Sequence, residues 1–223
     1  MHQKTASELT RLVLAGGSAD REHIAQTYFA NGAPRKLRSL AQRLQGRTPR
    51  VLDVGCGYGT YLAHFADSSV GVDRDPERVA FVRSLGLTAE VRDVEAADWS
   101  TGLGEFDLIW LCDLLPHLRD PATFLGALTR LLAPEGQVVI SDWVWPESRV
   151  LSWMVRRLPG AAANEVHPEH LHRMTERRLA KWLGTAGLQI EDSWMHSLRP
   201  AWLGACVRPF WPPRTLVALQ ALE

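Results

Sequence analysis

Residues 53–59 read Asp53-Val54-Gly55-Cys56-Gly57-Tyr58-Gly59 and continue the short apolar run Val51-Leu52. An apolar run that ends at glycine is a buried strand feeding a tight turn. Glycines at 55, 57 and 59 leave the main chain bare, so its N–H groups can approach a ligand with no side chain between. In open α/β sheets, ligands sit outside the carboxyl ends of the strands. The turn departs from the dinucleotide pattern G-x-G-x-x-G, whose third glycine would fall on Thr60. An acid, Asp53, stands just before the first glycine. A carboxylate there suits a positively charged ligand better than a pyrophosphate.

Outward from this turn the chain alternates strand and helix. Residues 59–67 read as a helix. Ser69-Val70-Gly71-Val72 reads as a second strand, followed by a helix after Pro76. Thr88 to Val91 is a third strand and Phe106 to Trp110 a fourth. Residues 121–133 read as a helix that ends in the turn Ala133-Pro134-Glu135-Gly136. Gln137 to Ile140 follows as a fifth strand. Strands separated by helices imply βαβ units and a parallel sheet covered on both faces. Further on, helices are predicted near 147–157 and over 175–186. Strands are predicted over Leu188 to Met195 and Thr215 to Ala221. Before Arg50, residues 5–15 and 20–30 read as helices around Gly16-Gly17, and 35–46 as an amphipathic helix. Residues 1–47 are therefore a helical extension or lid, and 48–223 form the main domain. Residues 197–213 are an aromatic, proline-rich insertion near a substrate pocket.

Two further acids stand at strand ends. Asp73 ends the second strand, 20 positions after Asp53. A carboxylate at that separation can accept both hydroxyl hydrogens of a ribose. Asp75 is the better cap for the helix after Pro76. Asp93 ends the third strand and can accept from an adenine amine. Asp107 reads as structural. Residues from Leu111 to His117 follow the fourth strand.

These stretches, in this order, resemble the successive motifs of class I S-adenosylmethionine-dependent methyltransferases. The likeness rests on Asp53 to Gly59, Gly71-Val72-Asp73, Asp93, Phe106-Asp107-Leu108-Ile109 with His117, and Leu132-Ala133-Pro134-Glu135-Gly136. It spans about residues 48–142. Past 142, Leu158-Pro159-Gly160 and His167-Pro168-Glu169 are loosely similar to the small-molecule, quinone O-methyltransferase branch. The resemblance implies a Rossmann-like, seven-stranded, mostly parallel sheet with helices on both faces and the last strand antiparallel. It implies S-adenosylmethionine as cofactor, held by Asp53, Gly55, Cys56, Gly57, Gly59, Asp73, Arg74, Asp93, Val94 and Leu111, with Tyr28 from the lid. The implied reaction is in-line methyl transfer to a small apolar or aromatic metabolite, most readily at oxygen. Such a nucleophile needs a base, and histidine titrates near neutral pH. His117 lies where related enzymes carry a histidine near the transferred methyl, and His167 belongs to a cluster with His170 and His172.

Each of these residues also has a plainer reading. His117 can cap or pack under the next helix, and the later histidines can lie on the surface. Seven of the nine tryptophans fall between Trp143 and Trp211. Trp143 and Trp145, with His170, are the candidates to contact substrate, while Trp182 and Trp194 suit a core. Two other functions stay open: a cofactor-binding partner subunit without chemistry, and a methylase acting on protein or RNA.

Composition narrows the field. The 223 residues carry 25 basic and 25 acidic side chains, which argues against a nucleic-acid partner. Cys56, Cys112 and Cys206 are odd in number and widely spaced, so neither a disulfide framework nor a metal site is expected. No apolar run approaches the roughly 20 residues of a membrane span. The start, Met1-His2-Gln3-Lys4, has no apolar leader core. A cytoplasmic enzyme, free or as a homodimer, is the expectation.

Overall fold

The computed structural model describes residues 11, 13–15, 19–26, 40, 44, 46–65, 67–142, 144, 170–194 and 215–220. Tyr28, Trp143, Trp145 and His167 lie outside them, as do the predicted helix near 147–157 and the segment 197–213. The chain comprises two compact units, Met1–Trp110 and Leu111–Glu223.

In the first unit, strand β1 (Val51–Val54) is buried along its whole length. It pairs in parallel with β2 (Val70–Asp73), which sets Asp53 opposite Gly71. Strand β2 pairs in parallel with β3 (Ala89–Val91). Strand β4 (Phe106–Cys112) starts beside Arg50, whose N–H donates to Asp107 Oδ2 at 2.7 Å and whose carbonyl accepts from Asp107 N–H at 3.0 Å. Asp107 therefore anchors a strand start. Helix α2 (Pro76–Ser84) is capped by Asp75, which accepts from the N–H groups of Glu77 and Arg78. Its buried Val79 and Val82 pack on Cys56, Leu62 and Ala89.

Helix α1 (Ala19–Ile24) belongs to the predicted extension. Its Ile24 joins Val13, Ala25 and Ala63 in a small core against Tyr58, Phe81, Leu85 and Leu87. Arg21 donates to Ser84 Oγ at 2.9 Å and lies over the Phe81 ring at 5.1 Å. The extension thus packs on the residue that separates Gly57 from Gly59.

Two predicted elements differ. The helix expected over 59–67 is a turn followed by one 3₁₀ turn, Leu62–His64. Leu62 N–H bonds to the Asp53 carboxylate. His64 and Phe65 then close short bonds to Tyr61 and Leu62 carbonyls. Phe65 is extended, which stops further winding. In the second unit, helix α3 (Pro121–Thr129) ends earlier than predicted, and strand β5 (Leu132–Ser141) begins within the expected helix and turn. Leu131 N–H returns to the Leu128 carbonyl and closes the last turn. What survives of the predicted 133–136 turn is Glu135, with φ of +60° inside β5.

Strand β7 (Thr215–Gln220) runs antiparallel to β5, from Gln137 opposite Leu219 to Ser141 opposite Thr215. It also runs antiparallel to β6 (Leu188–Trp194), with a bulge between Ile190 and Asp192. Helix α4 (Glu176–Thr185) starts at Thr175, whose side chain accepts from Arg178 N–H, and Gly187 at φ +74° follows its end.

Candidate active site

The glycine turn closes the carboxyl end of β1. Gly55 and Cys56 both donate their N–H to the Val72 carbonyl, at 2.8 and 3.0 Å, which folds the turn across to β2. Gly57 sits at φ +53°, and a Cβ added there would meet nothing within 4 Å. Conformation favours glycine at this point, and the space beside it is open for a ligand. Gly71 is constrained differently. A Cβ there would come within 2.8 Å of Cys56 Sγ and of Leu62 Cδ2, so the turn lies directly on β2.

Two carboxylates are buried beneath the turn. Asp53 is 1% exposed, and its Oδ2 has no hydrogen-bond partner among the described residues. Burial pushes its carboxyl up to about 7; the Leu62 N–H opposes the rise and the Asp73 charge adds to it. A buried carboxylate oxygen without a donor is costly, and a cation arriving beside it would relieve the cost. That chemistry fits the ammonium or sulfonium of S-adenosylmethionine. Asp73 accepts from Gly57 N–H and from Asp75 N–H, both at 2.9 Å, one on each oxygen. Each oxygen keeps a lone pair for a further donor. Cys56 is buried, and burial, then the Asp53 and Asp73 charges, push its thiol well up, so it stays protonated. It packs with Leu62, Val79, Val82 and Ala89.

The other predicted cofactor contacts differ in exposure. Asp93 is exposed, and its Oδ1 accepts from Glu95 N–H at 3.0 Å, holding a local turn. Arg74 is exposed and Val94 half-buried beside it in sequence to Asp93. Leu111 is 1% exposed, so its side chain lies in the core.

In the second unit the segment after β4 carries Asp113 and His117. Asp113 has φ of +53°, uncommon for a residue other than glycine but tolerated by aspartate. Its N–H donates to the Ser141 carbonyl at 3.0 Å, which ties this bend to the end of β5. A 3₁₀ turn, Leu115–His117, follows. The Pro116 carbonyl accepts from both Leu171 N–H at 2.7 Å and His172 N–H at 3.2 Å. His172 Nε2 lies 3.3 Å from the Arg119 carbonyl. This docking brings His170 against His117, with ring centroids 4.5 Å apart and planes at 82°. Asp142, at the end of β5, is 5% exposed. Asp113 and Asp142 were not singled out from sequence, where the only signal is an acid directly after an apolar strand.

Among the described residues, no three His, Cys, Asp or Glu side chains are grouped to hold a metal ion. Among the same residues, no helix is long and apolar enough to cross a membrane.

Residues 25–193 match the family described as "Methyltransferase domain". The ubiquinone biosynthesis O-methyltransferase of Xanthomonas oryzae pv. oryzae is 31% identical over 183 residues, covering 71% of this chain and 70% of the relative. The protein of the same name from Xylella fastidiosa is 30% identical over 172 residues, covering 71% and 68%. Among solved structures, magnesium protoporphyrin IX methyltransferase from Synechocystis with bound SAH aligns with a TM-score of 0.56 at 18% identity, covering 98% of this chain and 95% of that one.

Proposed function

The chain belongs to the class I S-adenosylmethionine-dependent methyltransferases, and from that membership we propose that it methylates a hydroxyl oxygen of a small apolar or aromatic metabolite. S-adenosylmethionine supplies a methyl group already activated by its sulfonium. The chain's own residues bind, orient and deprotonate. Asp73 is the ribose ligand, Asp93 and Val94 the adenine contacts, and Asp53, with the open space at Gly57 in the turn above it, the receptor for positive charge. Gly55, Cys56 and Gly59 shape that turn, and Arg74 and Leu111 are further cofactor contacts.

His117 is the base. As a neutral imidazole it would take the hydroxyl proton, and the freed oxygen pair would bond to the methyl carbon as that carbon's bond to sulfur breaks and the demethylated donor leaves. The observation that carries this reading is the placement of His117: half-buried, in the turn directly after β4, and held against a second imidazole. The names of the relatives support oxygen as the target. His167 stands as the second base, and Trp143, Trp145 and His170 as substrate contacts.

For the architecture we propose one seven-stranded sheet with its last strand reversed, supported by the parallel pairing of β1 to β3 and the antiparallel pairing of β7 with β5 and β6. The extension 1–47 is the lid over the cofactor, supported by the packing of α1 on Tyr58, with Tyr28 as its contact.

The experiment is methyl-labelled S-adenosylmethionine incubated with the purified chain and three acceptor pools: catechols and other phenols, total protein, and RNA. Label in a small phenolic ether supports the proposal. Label confined to protein or RNA overturns it.

A further inference from the structure

Residues 117 and 170 are far apart in sequence, yet the backbone fixes them together. Pro116 immediately precedes His117, and Leu171 immediately follows His170. The Pro116 carbonyl accepts from Leu171 N–H and His172 N–H, so the two imidazoles meet because their chains are pinned one residue away. The contact between His172 Nε2 and the Arg119 carbonyl at 3.3 Å holds the far side of the same junction. At 4.5 Å and 82° the edge of one ring addresses the face of the other.

We propose that His117 and His170 work as one unit that holds a single proton, with His170 positioning and tuning the base His117. This rests on His117 being the base, as proposed above. The physical reason lies in ring electrostatics. An aromatic face is electron-rich and its edge electron-poor. One charged ring with its edge toward a neutral face is attracted to it. Two charged rings at this separation repel. The first proton is therefore welcomed by the pair and the second is resisted, and groups coupled this way titrate in two steps that belong to the pair. In turnover, the proton leaves the acceptor hydroxyl for His117. The half-exposed pair then releases it to solvent water, which restores the neutral state.

Other ionisable groups stand on the elements of this unit. Asp113, Arg119 and Asp120 flank the 3₁₀ turn. His172 and Arg173 follow His170. Asp142 ends β5. Helix α4 carries Glu176, Arg177, Arg178 and Lys181. Helix α3, Pro121–Thr129, carries none. These groups are common to wild type and variants, so the difference between the wild-type and H170N titrations of His117 isolates the contribution of His170.

The test is a pH titration of imidazole nitrogen shifts by NMR on the full chain, with no acceptor present, for wild type, His170→Asn and His117→Asn. In wild type both rings should show the same two steps, separated by about one pH unit or more. In H170N, His117 should show one step lying between the two. Single, independent steps in wild type, or a His117 curve unmoved in H170N, would overturn the proposal. Binding of SAH by calorimetry reports whether each variant is folded, and His170→Phe replaces any variant that is not. The readout needs no turnover. Failure of His117 as base would show as full transfer activity in H117N, even with the coupled titration intact.

Discussion

The Gly57 N–H donates to Asp73 Oδ2 at 2.9 Å, so the carboxylate that ends β2 also holds the turn that ends β1. A single side chain thus sets the glycine turn and keeps lone pairs beyond the two bonds it accepts. Asp73→Ala should weaken SAH binding by about 1.5–3 kcal/mol, the range for hydrogen bonds to a charged group. Asp73→Asn keeps one acceptor oxygen and should lose less. Calorimetry on the two variants checks this, and wild-type affinity in D73A would remove Asp73 from the site.

Asp53 predicts a pH dependence of stability. Its carboxyl is pushed up to about 7 in the folded chain from an ordinary value of 3.8. Between those values the folded chain holds a proton that the unfolded chain has lost, so stability falls as pH rises from about 4 to about 7. Thermal melting of ligand-free protein should show this decline, and Asp53→Asn should flatten it. Parallel wild-type and D53N curves would show that Asp53 is not the group responsible. A cation that binds beside Asp53 favours its ionised form, so S-adenosylmethionine should bind more tightly as pH rises through about 7.

Gly71 is predicted to be intolerant of a methyl group. The clash with Cys56 Sγ and Leu62 Cδ2 at 2.8 Å should cost about 1–3 kcal/mol in Gly71→Ala, typical of overpacking. The Sγ belongs to a removable side chain, so Cys56→Ala in the same chain should restore part of the loss. Denaturant unfolding of both singles and the double measures the coupling. Strict additivity would place the strain elsewhere.

His117 separates binding from chemistry. His117→Asn should slow methyl transfer to a phenolic acceptor by about 10²–10⁴-fold, the usual contribution of a positioned base, while SAH affinity stays at the wild-type value. Undiminished turnover would clear His117, and the same assay on His167→Ala would then decide whether the later histidine serves.

The sheet around the glycine turn was legible because its signals are local. Val51 to Gly59 carries strand and turn in consecutive residues, and Asp75 before Pro76 announces the start of α2. The helix expected over 59–67 is cut to one 3₁₀ turn because the backbone becomes extended at Phe65, a break that no periodicity reveals. Leu131, Leu132 and Ala133 extend the apolar spacing of α3, yet the chain has already turned into β5 by Leu132. Asp113 hid for another reason: nothing in residue type marks a left-handed φ when the residue is an acid rather than a glycine. The pairing of His117 with His170 depends on one proline carbonyl meeting a segment more than fifty residues later, and local pattern does not encode it.

The most direct test of the account is titration calorimetry of the purified chain with S-adenosylmethionine, SAH and a nicotinamide dinucleotide. The account predicts that the first two bind, one per chain, that Asp53→Ala and Asp73→Ala both weaken them, and that the dinucleotide does not bind. A chain that ignored both sulfur ligands and took the dinucleotide in a manner sensitive to the same two substitutions would contradict it.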